Sequence, residues 1–410
     1  MEHCREKAIE ALGNSGLARV CGDARMLECM EWGDSIIIKA SACGKSAYLI
    51  KVGRGVGALI RDLVSGRMPG VRGCMEQASL DIIGFGVRSV IATLNGKLVK
   101  VNLVSVEDNL EDKVLRYLDR RAPEISPGYV CSIRYDNILA GIITRRMGER
   151  PLAVDYIEYA RKALSGSVEE PSLNKMLGRS IALLHNTLYQ CREEWCKPSN
   201  ATATHVESWI NRVKARARII KGMAEGQDRL QMLEAADALE EMAGWMYEYT
   251  NTIIGDVIMR IHGDLHLYQA YIDGDSIYFT DFEGEPYREP ARRDELEPPI
   301  RDIASIARSI WYATALAGMD SGMSAEDASI EAVEKLAGWR SNVINNMIDE
   351  YRSSVYKELW PRGWEGKMLF WLVERASYEL VYEVIESTGL HHIPLNAILK
   401  LRDSWPRIYW

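Results

Sequence analysis

The sequence predicts an α+β protein of two lobes, β-rich first and helical after, and three observations carry that prediction. Apolar, β-branched runs broken by turn signals fill the first 148 residues, and helical periodicity dominates from about Asp155 onward. A length of 410 residues corresponds to two or three domains, each able to bury a core.

Ser35 to Val52 reads as a hairpin, with the run Ile36, Ile37 and Ile38, a glycine-containing turn at 41–46, and a returning apolar segment from Ala47. Gly55, Gly57, Gly66, Pro69, Gly70 and Gly73 then punctuate the chain and place a boundary near residue 75. Two or three strands follow between Leu80 and Val106 around Asn95-Gly96, a pair that tolerates positive φ and marks a tight hairpin. Leu110 to Arg121 reads as a helix, and Val130 to Met147 as two strands turning near Tyr135 to Asn137, closed by Gly148. Beyond Asp155 the helical spacing is plain at Leu177, Ile181, Leu184 and Leu188. The exception is a strand pair, Tyr271-Ile272 and Ile277 to Thr280, around the turn Asp273-Gly274-Asp275. No repeat of solenoid length is present.

Composition excludes several classes. A net charge of −8 offers no general attraction to nucleic acid or to anionic lipid. No uninterrupted apolar run reaches 18 residues, and the charged start MEHCREKAIEAL lacks the apolar core of a secretion signal, so a cytoplasmic protein is expected. The eight cysteines form no C-x-x-C pair and have no histidines at zinc-finger spacing, which argues against a structural metal and for buried thiols. Cys191 and Cys196 would bridge only in an oxidising compartment or in a hyperthermophile's cytosol.

Chemistry concentrates in HGDLHLYQ, His262 to Gln269, and in DFEGEP, Asp281 to Pro286, on either side of the late strand pair. Asp281 follows Asp264 by 17 positions, a spacing with which two adjacent strands bring both carboxylates to one end of a hairpin. Phosphoryl transfer uses that pair: one carboxylate takes the proton of the attacking hydroxyl and the other holds the Mg2+ that bridges the ATP phosphates. The kinase signature H-R-D-L-x-x-x-N is matched by His262, Asp264, Leu265 and Gln269, with Gln in the Asn slot. Asp281-Phe282-Glu283 stands where kinases carry D-F-G, which makes Asp281, Glu283 and Gln269 the candidate metal ligands. Upstream, Gly84, Gly86 and Ser89 lie in a turn of the kind that covers phosphates, where backbone amides approach best without side chains. Lys100, one hairpin later, occupies the phosphate-binding lysine position, and among the acids Glu107, Glu111 and Asp112 we take Glu111 as its partner.

Over these runs the chain resembles the maltokinases, of the aminoglycoside-phosphotransferase-like branch of the protein-kinase fold. Their similar H-G-D-L-H-L-G-Q and D-F-E-G-E-P runs precede R-D-V-A-G-M-L-R-S, echoed here from Arg301-Asp302 to Arg308-Ser309. Their E-K-A-V-Y-E-V-x-Y-E is echoed from Glu374 to Glu383, ahead of Ile393-Pro394-Leu395, and a helix similar to L-G-x-x-x-A-x-x-H holds Leu177-Gly178 and His185. The resemblance spans about residues 80 to 410, with Tyr268 in place of the family's glycine and no counterpart of its N-terminal R-W-F-type motif. It implies a bilobal protein-kinase-like fold divided into a cap subdomain at 1–75, a β-rich nucleotide-binding lobe at 76–148 and a helical catalytic and acceptor-binding lobe at 149–410. It also implies an ATP- and Mg2+-dependent sugar kinase in which Asp264 and His262 are catalytic and Arg301 and Asp302 orient the catalytic loop.

Maltose ranks first as acceptor, glucosamine and glucose follow, and a non-catalytic pseudokinase-like binding protein is the contrasting class. The helix from Trp364 to Ser387 carries an apolar stripe and a second face of Glu374, Tyr378 and Tyr382, with Trp371 one turn before. A carboxylate beside aromatic rings suits sugar hydroxyls and the C–H faces of a pyranose, so these residues, with His266, are the candidate acceptor contacts. The use of four Phe against 11 Trp and 19 Tyr, rings that carry a polar handle, fits the same reading. Glu207, Trp209, Arg212, Lys214, Arg216 and Arg218 read as a solvated helical insert.

Overall fold

The computed structural model describes residues 2–75, 79–86, 88–107, 109–145, 150–167, 171–289, 292–408 and 410. Glu76, Val87, Met147, Gly148 and Glu149, on which expectations about boundaries, the glycine turn and the end of the second hairpin fall, lie outside the described residues. The chain forms two compact units, Met1–Met147 with Thr280–Glu295, and Gly148–Phe279 with Leu296–Trp410.

In the first unit, α1 (Glu2–Gly13) and α2 (Gly16–Val20) precede β1 (Arg25–Trp32), β2 (Ser35–Ala42), β3 (Lys45–Lys51) and α3 (Val56–Ser65). Then come β4 (Val71–Arg72), β5 (Leu80–Phe85), β6 (Ser89–Leu94), β7 (Lys97–Asn102), β8 (Val104–Val106), α4 (Glu111–Arg121), β9 (Tyr129–Tyr135) and β10 (Ile138–Arg145). Two antiparallel sheets result, ordered β1-β2-β3-β8 and β4-β9-β10-β7-β6-β5. Every strand of the first hairpin, the Asn95-Gly96 hairpin and the β9–β10 pair stands where periodicity and turn chemistry put it. Asn95 and Gly96 take φ of 51° and 74°, the left-handed turn the dipeptide permits. Buried Tyr48 on β3 donates to the carbonyls of Asn102 (2.8 Å) and Leu139 (3.4 Å), and so links the two sheets. Around it Ile37, Ile60, Leu63, Val90, Val99 and Ile143 form one apolar core. Gly141 matters to the position of Lys100: a Cβ there would lie 2.6 Å from the Lys100 carbonyl oxygen, so only glycine lets β10 close on β7.

All eight cysteines are paired, which corrects the expectation of buried thiols. Cys4–Cys29, Cys21–Cys43, Cys74–Cys131 and Cys191–Cys196 have Cα separations of 6.2, 5.1, 6.2 and 5.8 Å, inside the range that a disulfide spans. The first three pairs lie in the first unit and join residues 25, 22 and 57 positions apart, which linear spacing does not reveal.

The second unit contains α5 (Leu152–Leu164), α6 (Leu173–Tyr189), β11 (Ser199–Asn200), α7 (Ala203–Met223), α8 (Arg229–Trp245), α9 (Thr250–Ile253) and β12 (Val257–Ile258). The hairpin β13 (Ala270–Asp273) and β14 (Ser276–Phe279) pairs Ala270 with Phe279. It is followed by α10 (Ile300–Asp320), α11 (Ala325–Asp327), α12 (Val333–Lys335), α13 (Ala337–Ser354), α14 (Trp364–Glu386) and α15 (His392–Ser404). Gly178 lets α6 press against α13, since a Cβ there would meet the Met347 carbonyl oxygen at 2.5 Å. The α7 helix is not a solvated insert: Trp209 and Arg216 are buried, and the helix packs on α14. Among the described residues, no helix is long and apolar enough to cross a membrane.

Candidate active site

Four charged side chains meet in the first unit. Lys100 projects from β7, and its ammonium lies 3.2 Å from Glu111 Oε2 and 3.7 Å from Glu283 Oε1, and pairs with Asp281. Glu111 stands in the first turn of α4, whose start is fixed by the Glu111 amide donating to Asn109 Oδ1 at 3.0 Å. The other two acids considered for this place are engaged elsewhere, Asp112 with Arg134 and Glu107 with the Ser46 amide. Burial acts to lower the Lys100 ammonium, but the charges of Asp281, Glu111 and Glu283 outweigh it and hold the group well above the ordinary lysine range. Burial, against the opposing charge of Lys100, raises the Glu111 carboxyl to about 8, and Asp281 and Glu283 add to the rise. With Glu111 raised that far, Asp281 and Glu283 still leave surplus negative charge beside the one ammonium, and Asp281 itself sits at φ 65°, a left-handed conformation uncommon outside glycine.

The turn holding Gly84, Gly86 and Ser89 is closed by the Gly86 amide donating to the Ser89 carbonyl at 2.8 Å. Arg88 from this turn donates to the Pro286 carbonyl at 2.9 Å, and Arg293 donates to the same oxygen. The turn is thereby tied to the segment that follows Glu283.

The second unit builds the loop His262 to Gln269. Asp302, in the first turn of α10, accepts from the amides of His262 (2.8 Å) and Gly263 (3.0 Å), while its neighbour Arg301 donates to the Gly263 carbonyl at 2.7 Å. One dipeptide thus grips both kinds of backbone group in the loop. His185 on α6 completes the grip, with Nε2 3.1 Å from Asp302 Oδ2 and Nδ1 2.8 Å from the Tyr351 hydroxyl. Burial alone would raise the Asp302 carboxyl, but the His185 bond and charge, with His262 and the Gly263 amide, lower it below the usual carboxylate range. Asp264 is largely enclosed, and Arg375 Nη1 lies 2.7 Å from its Oδ1. His262 is fully buried and its Nδ1 accepts from the Asp264 amide at 3.4 Å, so it shapes the loop from within. Gln269 ends the loop in a short 3-10 turn, its side-chain nitrogen 3.4 Å from His266 Nε2.

The acceptor face expected on α14 is largely absent, because α14 runs through the interior of the unit with nearly every residue from Lys367 to Val381 buried. Glu374 is sealed among three guanidiniums: Oε1 lies 2.6 Å from Arg216 and 2.8 Å from Arg212, and Oε2 lies 3.2 Å from Arg301. Its accepting capacity is spent there, which corrects its assignment as a sugar contact. Trp371 is packed 4.9 Å from Trp209, ring to ring, and is equally enclosed. Tyr378 is buried, with the Arg216 and Arg375 guanidiniums 5.1 and 5.0 Å from its ring centroid. Tyr382 and His266 retain partial exposure. Sequence reasoning passed over Arg375 and Tyr351 and misread Arg212 and Arg216 as solvated. For Arg212 and Arg216 the available signal was their i, i+4 spacing one turn from Trp209 on a helix of otherwise mixed character.

A sheet-rich N-terminal part, a helical C-terminal part, a strand lysine paired with a helix glutamate and a gripped H-G-D-L loop together define a protein-kinase-like α+β fold. The chain is similar in structure to a glucosamine kinase in complex with glucosamine, ADP and inorganic phosphate, at 16% identity and a TM-score of 0.66 over 95% of this chain and 96% of that one. Crystal form B of glucosamine kinase gives 16% identity and 0.64 over 97% and 99% of the two chains. Crystal form A gives 15% and 0.61 over 97% and 98%. No protein-family model matches the chain.

Proposed function

We propose that this protein is an ATP-dependent kinase that transfers the terminal phosphoryl group to a sugar hydroxyl. The observation that carries the reading is the Lys100–Glu111 pair facing Asp281 and Glu283, because a buried ammonium among surplus carboxylates suits polyphosphate with a divalent cation. Hard oxygen donors are what Mg2+ requires, so Asp281 and Glu283 fit as its ligands, and the Gln269 amide oxygen is the further ligand that the motif resemblance implies. Bound there, Mg2+ would supply charge neutralisation of the phosphates. In this reading Lys100 steadies the phosphates, the Gly84 to Ser89 turn covers them, and Asp264 accepts the proton of the attacking hydroxyl. Asp302 and Arg301 hold the Asp264 loop in place, and residues 1–75 cap the nucleotide lobe. Tyr382 and His266, both partly exposed, remain the candidates for acceptor contact.

The motif resemblance favours maltose as acceptor. Glucosamine is the second reading, supported by the near whole-chain likeness in fold to glucosamine kinase. Both are separated from a non-catalytic binding protein by one experiment. The purified chain is incubated with ATP, Mg2+ and a sugar panel containing maltose and glucosamine, and ADP release is followed. Turnover with one sugar well above the sugar-free rate is expected, reduced by roughly 10²–10⁴-fold in Asp264→Asn. Absence of sugar-stimulated ADP release across the panel, in protein shown to be folded, would remove the kinase reading.

A further inference from the structure

We propose that Asp228, His391 and His392 form a binding site for a divalent transition-metal ion, with Zn2+ as its probe. Asp228 immediately precedes α8, and the two histidines open α15. An aspartate in front of a helix ordinarily turns its side chain back to cap it, yet Asp228 makes no side-chain cap bond. Its carboxylate goes to the histidines, with Oδ2 2.9 Å from His391 Nε2 and 3.9 Å from His392 Nε2. The three donor atoms lie within 4.8 Å of one another. Bonds of about 2.1 Å in a tetrahedral site set ligand atoms roughly 3.4 Å apart, so the two measured edges straddle the required value. The imidazole rings lie 4.2 Å apart between centroids, and both measured approaches are to the same carboxylate oxygen.

Donor chemistry narrows the ion. Two imidazoles and one carboxylate favour the borderline ions, Zn2+ foremost, over the Mg2+ that all-oxygen sites take. The side chains of Asp228, His391 and His392 are 32%, 23% and 13% exposed, enough for an ion to enter and for water to complete the coordination. The positive end of α15 works against a cation, and the Asp228 charge offsets it. All eight cysteines are cross-linked, so no thiolate competes for zinc. The ion would fasten the segment entering α8 to the start of α15, helices that pack together. None of this depends on the kinase reading.

The test is calorimetric titration of the full-length, chelator-treated chain with ZnCl2 in buffer containing millimolar Mg2+, so that hard-oxygen sites are occupied. One Zn2+ per chain is expected, with a rise in Tm on binding and an affinity at least about 100-fold weaker in His391→Ala/Asp228→Asn and in His392→Gln. X-ray absorption at the zinc edge of the wild-type complex should show two imidazoles per ion, a readout that stands even if a variant fails to fold. Undiminished binding in the variants, no binding by the wild type, or a zinc edge without paired imidazole scattering would each overturn the site.

Discussion

Arg375 and Asp264 form an ion pair, Nη1 to Oδ1 at 2.7 Å, across 111 positions of sequence. The side chains are only 7% and 13% exposed, so water screens the pair little. Arg375 Nε also donates to Glu379 Oε1 at 3.2 Å, and Glu379 in turn receives Arg308. Asp264 is thus the end of a buried chain of alternating charge, and its orientation is set from α14 and α10. Removing one member leaves its partners enclosed without compensation, which costs about 3 kcal/mol or more. Arg375→Gln should therefore lower urea-unfolding stability by roughly that amount and reduce turnover. Arg375→Lys should recover part of the stability and less of the turnover, because an ammonium cannot make both bonds of the guanidinium fork. Wild-type stability in Arg375→Gln would show that the pair is incidental.

Asp302 yields a pH prediction whose sign follows from its surroundings. Its carboxyl is held below the ordinary value of 3.8, so it contributes stability at all pH above that range and loses it as pH falls through its folded value. Asn in its place keeps one acceptor but sets an NH2 group against backbone amides. Asp302→Asn should therefore cost about 2–3 kcal/mol at pH 7, and the variant's stability should fall less steeply below pH 4. Chemical denaturation at pH 7, 4 and 3 measures both effects, and parallel acid profiles for the two proteins would contradict the linkage.

Local pattern made the sheets and the paired lysine legible. Lys100 is one hairpin beyond a glycine turn, and Glu111 opens a helix with a clear apolar period, so short-range rules carry both. The H-G-D-L loop was equally visible because its glycine and its charges are contiguous. What stayed hidden is what depends on tertiary neighbours. The i, i+4, i+8 spacing that put Glu374, Tyr378 and Tyr382 on one face of α14 says nothing about which face meets solvent, and here α7 and α10 cover the helix with arginines that meet Glu374. A periodicity argument assumes that charged faces are wet. Arg212 and Arg216 read as surface charge for the same reason, when their guanidiniums are in fact the partners that make a buried glutamate tolerable.

The cross-links vary widely in the length of chain they close, and that ordering is testable. Cys74–Cys131 closes 57 residues and Cys191–Cys196 only 5. The conformational freedom removed from the unfolded chain grows with the logarithm of loop length, so the longer link should contribute about 2 kcal/mol more. Cys74→Ser/Cys131→Ser is expected to lower unfolding stability more than Cys191→Ser/Cys196→Ser by that margin, measured in urea without reductant. Alkylation of the denatured, unreduced chain should modify none of the cysteines, and alkylation after reduction should modify all eight. A mesophile's cytosol keeps such thiols reduced, whereas an oxidising compartment or a hyperthermophile's cytosol leaves them joined. Complete alkylation before reduction would return these residues to the role of buried thiols and remove the stability ordering with it.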